Sequence, residues 1–176
     1  MDIIDFFRVE QTRLHRWTRI ALEDLTPEEW HYAIDGNTNN IAFLVWHSVR
    51  TEDNILRLIL QGRPTIWAEG GWHERLALPP RVQGTGMANE EARAFHIADT
   101  ALFMQYVEQV WSEYEAYLAA ITDGGKALSE RTVTIKPLGE MPALQGIGQV
   151  CITHLNIHYG EIALLRGAMG KRGLLI

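Results

Sequence analysis

The chain has 176 residues, of which 47% are hydrophobic and 22% are charged, as in an ordinary globular domain. We expect one domain over residues 1–176, since this length suffices for a sizeable core. The formal net charge of −6 argues against general binding to nucleic-acid backbones, and a single cysteine excludes an intrachain disulfide. The first residues lack a signal-peptide pattern, and no stretch reaches the ~20 apolar residues of a membrane span. We therefore expect a cytoplasmic protein that binds neither nucleic acid nor membrane.

Two helices are predicted in the first third of the chain. Apolar residues recur at steps of three and four and predict a helix over about residues 2–22. Thr26 followed by Pro27 is typical of a helix N-cap and predicts a short extra turn. After a turn signal at residues 35–37, a second helix should begin near residue 38 or 39 and end at residues 61–62.

The middle of the chain is predicted to be a long loop followed by a third helix. Residues 63–87 are rich in Gly and Pro, with one helical turn expected around residues 72–78. A connection this long is often functional, and it would let the third helix run parallel to the second. The apolar stripe that follows predicts this third helix over about residues 89–121.

The last third of the chain is predicted to hold one short extended segment and a fourth helix. Residues 131–136 alternate with β-branched residues, which is typical of a short strand or an extended arm. A fourth helix should begin near Pro142 and reach Ala168, before two glycines that end it. The pattern predicts an all-α protein, a four-helix bundle.

Three histidines form the most informative pattern. His154 and His158 are four residues apart, so they share one helix face, and they continue an apolar stripe that should point inward. His47 lies at the core boundary of the second helix. Two imidazoles at this spacing reach one ion, and a third ligand from a neighbouring helix is typical of bundle metal sites. Three ligands leave a position open for water or substrate. The alternative is that these histidines are ordinary core residues with hydrogen-bond partners.

Two segments carry a resemblance to a known family. The segment WHSVRTED at residues 46–53, and HLNIHYGEI at residues 154–162 followed by Arg166 and Gly167, resemble the signature helices of the DinB/YfiT-like superfamily of metal-dependent proteins. This damage-inducible family is distinct from the DNA polymerase of similar name. The resemblance implies an up-down-down-up four-helix bundle, commonly a homodimer. It also implies one divalent ion per chain, held by His47, His154 and His158.

The resemblance leaves several functions open. Characterised relatives include S-transferases that use low-molecular-weight thiols, a thiol-dependent isomerase and metal-dependent hydrolases. We expect a thiol S-transferase acting on a small molecule; the alternatives are a metal-dependent hydrolase and a non-catalytic, stress-associated metal-binding dimer. Zn²⁺, Ni²⁺ and Fe²⁺ all accept imidazole, so the sequence does not choose the metal.

Other residues are secondary candidates. Glu161, three residues after His158, is a candidate to orient a ligand or act as a base through water, the alternative being a solvated ion pair. Arg50 is a candidate for an anionic substrate or a surface ion pair, and Asp53 is expected to pair with Arg50 or Arg57. Six further residues are weaker candidates, with core packing as the alternative: His96 near the site, Cys151 as a nucleophile, and Tyr159, Trp46, Trp67 and Trp72 in a pocket wall. The other histidines are expected to be peripheral: His15, His31 and His73.

Overall fold

The fold is all-α, as predicted, with one small hairpin. The structure, a computed structural model, describes residues 1–34 and 38–173, so the predicted turn at residues 35–37 lies outside the described residues. The first half holds α1 (Ile3–Glu23), α2 (Pro27–Trp30), α3 (Ile41–Asp53) with a π-helical continuation (Asn54–Leu60), α4 (Ile66–Glu69) and α5 (Trp72–Arg75). The second half holds α6 (Asn89–Arg93), α7 (Thr100–Ala119), α8 (Lys126–Glu130), β1 (Thr132–Ile135), β2 (Gly139–Pro142), α9 (Ala143–Gly146), a π-helical segment (Ile147–Thr153) and α10 (His154–Ala168).

The long helices pack as an up-down-down-up bundle. Contacts between helices give their directions: α1 is antiparallel to α7 (Arg8 with Glu115, Arg19 with Glu108) and parallel to α10 (Phe7 with Gly148, Trp17 with Tyr159), and α3 is parallel to α7 (Asp53 with Tyr106, Arg57 with Glu113). The α3 and α10 helices therefore run antiparallel. Their apolar faces form two buried clusters, one at each end of the bundle.

Side-chain caps begin the first three helices where the sequence places them. Asp2 and Asp5 form a capping box at α1. Thr26 caps α2, with Pro27 at its first position, as the Thr-Pro pair predicted. The α3 helix begins two or three residues later than predicted because Asn40 is its N-cap and accepts a 2.8 Å hydrogen bond from the Phe43 N–H.

The prediction of one continuous third helix is wrong. The chain leaves α6 after Arg93 and begins α7 only at Thr100. Phe95 and Ile97 of the intervening segment are buried, and the Asn40 amide donates to the carbonyls of Arg93 (3.0 Å) and Phe95 (2.8 Å). Apolar burial and these hydrogen bonds replace the helical hydrogen bonds, so tertiary contacts override the helical period.

The fourth predicted helix is present but is not uniform. It runs from α9 through the π-helical segment to α10, and so spans Ala143 to Ala168. Before it, β1 and β2 form an antiparallel hairpin in which Ile135 pairs with Gly139, so the strand alternative for residues 131–136 is correct.

The long loop is fastened to the bundle and contains the predicted helical turn, at α5. The fully buried Asp53 accepts hydrogen bonds from the backbone N–H groups of Ile66 (2.8 Å) and Trp67 (2.9 Å) at the start of α4. The loop crosses the bundle, which makes α7 parallel to α3 as expected. Within the described residues, no helix has both the length and the apolar character that a membrane span requires.

Candidate metal centre

The antiparallel packing of α3 and α10 brings three histidines together. His47 projects from the middle of α3, and His154 and His158 project from the first turns of α10. Their Nε2 atoms are 3.2 Å apart for His47 and His154, and 2.9 Å apart for His154 and His158. One nitrogen from each ring lies within 4.8 Å of the others. Helix packing therefore brings together the three residues that the sequence predicted as metal ligands, and metal binding by them is a proposal.

The outer nitrogens of two rings are held by hydrogen bonds. The Nδ1 atom of His47 lies 2.5 Å from the backbone carbonyl of Gln83, and the Nδ1 atom of His158 lies 2.5 Å from the Glu161 carboxylate. Each acceptor requires an N–H at Nδ1, so in the neutral ring the lone pair stays on Nε2. Both Nε2 lone pairs thus point into the cluster, the arrangement of carboxylate- or carbonyl-supported metal ligands.

Burial favours the neutral form of His47 and His154. Burial first, and then the neighbouring His158 and His47 rings, together lower the pKa of His154 to about 4, because a protonated ring loses hydration and is repelled by another. Burial also lowers the pKa of His47, against the opposing effect of the Gln83 carbonyl. Neutral imidazole is the form that binds metals, so few protons compete for this site near neutral pH.

The spacing of the nitrogens fits a bound ion. Nitrogens that coordinate one tetrahedral ion at about 2.0–2.1 Å lie roughly 3.3 Å apart, close to the two separations in the cluster. An N–H on His154 Nε2 can donate a hydrogen bond to only one of the two neighbouring Nε2 atoms. A single cation, in contrast, can accept the Nε2 lone pairs of all three rings. The donor set therefore suits a divalent metal with three protein ligands.

The histidine cluster opens into a cavity of about 810 Å³. Residues 83–87 of the long loop line this cavity. Gly84 has a φ of +93°, and a Cβ there would lie 2.9 Å from the Phe43 ring, so the close approach of the loop to α3 requires glycine. The other described lining residues come from α3, α6, both π-helical segments, the hairpin and α10: Asn39, Phe43, His47, Thr51, Asn54, Ile55, Leu58, Ile59, Asn89, Ala92, Ile135, Lys136, Pro137, Leu138, Gln149, Val150, Thr153, His154 and His158.

Most secondary candidates lie away from this cavity. Cys151 is buried in the core, and burial raises the pKa of its thiol, which suits packing and not nucleophilic attack. The exposed His96 stacks on His31 at a centroid distance of 4.0 Å and does not join the cluster. His73 also lies outside it. The aromatic candidates are buried and none lines the cavity: Trp46, Trp67, Trp72 and Tyr159.

Two predictions about polar residues are wrong. His15 is not peripheral: its Nε2 atom lies 2.7 Å from Oε1 of the fully buried Glu52, and its ring stacks on Trp111. Arg50 does pair with Asp53, at 3.6 Å, but the pair is buried and not on the surface. The buried carboxylates of Glu52 and Asp53 on α3 require hydrogen-bond partners, and neighbouring elements supply them.

Gln83 is the site residue that sequence reasoning missed. It contributes a backbone carbonyl, which every residue type carries, so no sequence signal could have identified it. Its side chain also accepts a hydrogen bond from the Asn54 amide, which holds the loop against the second helix.

A sequence model of the DinB superfamily matches residues 10–162. The chain belongs to the DinB superfamily. This DinB protein is also similar in structure to a solved protein described as a conserved protein of locus from Enterococcus faecalis, with a TM-score of 0.80 and 19% sequence identity over 97% of this chain and 99% of that one. At that identity the likeness shows the fold alone. No curated protein matches this DinB chain.

Proposed function

We propose that this DinB protein binds one divalent ion through His47, His154 and His158 and uses it in chemistry on a small molecule. The observation that carries the proposal is the convergence of three imidazoles on the wall of a cavity of about 810 Å³. Zn²⁺, Ni²⁺ and Fe²⁺ are the candidate metals. Glu161 and the Gln83 carbonyl would orient His158 and His47, and the loop at residues 83–87 would limit the access of water.

The preferred reaction is transfer of a low-molecular-weight thiol to an electrophile. A divalent ion in this site would supply an acidic coordination position, where a thiol or a water gives up its proton near neutral pH. In the transfer, a sulfur–carbon bond forms, the bond to the leaving group breaks with its electron pair, and the thiol proton passes to solvent. The protein holds the two reactants together in the cavity.

The polar lining of the cavity favours thiol transfer over hydrolysis. Hydrolysis requires a group that manages protons on the attacking water and the leaving group. Among the described lining residues there is no carboxylate, and Glu161 already accepts a hydrogen bond from His158. Among the residues that the structure describes, Glu161 is the one carboxylate in contact with the cluster, and it keeps metal-dependent hydrolysis as the second candidate. A non-catalytic, stress-associated metal-binding dimer is the third.

Exposed apolar side chains on two adjacent helices support a homodimer. Phe6 and Val9 on α1 are 40% and 55% exposed, and Ile157 and Leu164 on α10 are 59% and 62% exposed. Exposed apolar side chains of this kind would be buried in a two-fold symmetric pair. We place the protein in the cytoplasm, with no nucleic-acid or membrane partner.

The test is an activity panel on protein loaded separately with Zn²⁺, Ni²⁺ and Fe²⁺. Conjugation of glutathione or cysteine to a chlorodinitrobenzene electrophile should depend on the metal and be lost in His154→Ala. A Glu161→Gln variant, whose amide oxygen still accepts from His158, should retain this conjugation. Thiol-independent ester or amide cleavage that Glu161→Gln abolishes would favour the hydrolase. Turnover of neither class would favour the non-catalytic dimer.

A further inference from the structure

The cavity extends well beyond the histidines, along both π-helical segments. Leu58 and Ile59 of the first segment, and Gln149 and Val150 of the second, line it together with the hairpin tip. Leu58 lies eleven residues after His47, which corresponds to roughly 15 Å along a helix. Segments of π-helix are rare and are concentrated at functional sites. The cavity thus reaches from the histidine cluster to the hairpin tip, and it also extends past the cluster toward Asn39 and Ala92.

The hairpin end of the cavity is apolar and only partly covered. Leu58 and Leu138 line it, yet they expose 54% and 53% of their surfaces. Ile55, Ile59 and Val150 continue the apolar wall toward the histidines. Small-molecule sites are typically apolar clefts with a few placed polar groups, and exposed leucines inside such a cleft gain most from an apolar ligand.

Among the described residues that line the hairpin end of the cavity, there is a positive charge and no negative one. Lys136 is the single lysine or arginine among the described lining residues, and those residues include no aspartate or glutamate. Lys136 lies between Ile135 and Pro137 at the hairpin tip, next to the exposed Leu138. An anionic group on a ligand would therefore meet a cation at this end and no carboxylate that opposes it.

We propose that the cavity binds an amphipathic monoanion, with its anionic group at Lys136, its apolar body between the two π-helical segments and its other end at the histidine cluster. Binding itself follows from the cavity alone. The assignment of this molecule as the electrophilic substrate, with its reactive end at the histidines, rests on the proposed function.

The first experiment measures the affinity of the metal-loaded protein for unbranched alkanesulfonates from hexyl to decyl, by calorimetry. Sulfonates are chosen because they are anionic but poor metal ligands. Affinity should rise about fourfold per added methylene, since about 0.8 kcal/mol per buried methylene corresponds to that ratio. Alkanols of the same length should bind more weakly. An affinity independent of chain length would overturn the proposal.

The second experiment locates the ligand with matched variants. Leu138→Ala should weaken decanesulfonate binding about fivefold, because the leucine loses its contact with the chain. Val82→Ala is the control. Val82 is 47% exposed but does not line the cavity, so the affinity of this variant for decanesulfonate should equal that of the wild type. Lys136→Gln should reduce the preference for sulfonate over alkanol about threefold, as for an exposed ion pair. An unchanged preference would overturn the position of the anionic group.

The third experiment separates this inference from the proposed metal chemistry. Wild-type protein stripped of its metal by a chelator should bind decanesulfonate within about twofold of the affinity of the metal-loaded protein, since apolar burial dominates binding. Sulfonate binding by a protein that shows no turnover would contradict the proposed enzymatic activity but support the proposed binding site. If instead Leu138→Ala alters dimer dissociation and leaves sulfonate binding unchanged, the exposed leucines form an interface between copies, and the proposal fails.

Discussion

Removal of one histidine should abolish the stabilisation that a bound ion gives to the fold. The ion binds the folded chain and not the unfolded one, so free ion at a hundred times its Kd stabilises by about 2.7 kcal/mol. For a chain of 176 residues, about 1 kcal/mol shifts Tm by roughly 2–4 °C. Wild-type protein should therefore melt about 5–10 °C higher with the ion than after chelation.

The same change should cost little in the metal-free protein. His154 is only partly buried, and its pKa of about 4 reflects the cost of burying a charge there, next to His158 and His47, so its neutral ring contributes little to stability without an ion. We expect His154→Ala to change the metal-free free energy of unfolding by less than about 1 kcal/mol. The variant should thus fold normally and lose the metal-dependent rise in Tm.

The assay is thermal unfolding followed by circular dichroism, with elemental analysis of the same samples. Wild-type protein should carry about one ion per chain, and His154→Ala should carry much less. His96→Ala is the matched control, because His96 is exposed and lies outside the cluster, so it should keep both the ion and the full shift. Undiminished metal and an undiminished shift in His154→Ala would refute the proposed site.

Three further predictions concern assembly, the buried ion pair and pH. Leu164→Glu should convert a dimer into a monomer at micromolar concentration, because it charges the exposed apolar face of α10; light scattering that gives one chain mass for the wild type would contradict the dimer. Asp53→Ala should lower the free energy of unfolding by about 3–5 kcal/mol in urea, since it leaves Arg50 buried without its carboxylate; a loss under 1 kcal/mol would show that the pair contributes little. Burial lowers the pKa of His31, so the unfolded chain binds more protons below pH 6.5 and stability falls as the pH decreases through that range. His31→Gln, whose amide oxygen still accepts the Ile97 N–H, should lose less stability between pH 7 and pH 5 than the wild type, and an equal loss would contradict this origin.

The helices were largely predictable because their signals are local. Apolar residues at steps of three and four, with Thr26 and Pro27 as a cap, predicted α1 and α2 close to their observed bounds. The break before α7 was not predictable in this way. Residues 94–99 contain no glycine or proline that would signal a break, and the Asn40 amide that holds this segment open lies more than fifty residues earlier in the chain.

The buried polar residues were the least predictable part of the fold. His15 and Glu52 are both charged or titratable types that usually lie at the surface, and nothing local indicates that they meet. Their contact at 2.7 Å exists because α1 and α3 both pack on α7 and α10, with a register that brings the two side chains together in the core. The same reason accounts for Arg50, whose partner followed from a spacing of three residues but whose burial did not.

For the candidate metal centre, the sequence by itself determined that His154 and His158 share one face, because the pitch of a helix fixes the direction of residues four apart. The distance from His47 to that pair, and the carbonyl of Gln83 behind it, were decided only by the tertiary structure. Packing of α3 against α10 sets the register between helices about a hundred residues apart, and the path of the loop chooses which backbone carbonyl reaches His47. Neither quantity is encoded in local spacing, since both depend on how apolar faces from distant segments fit together.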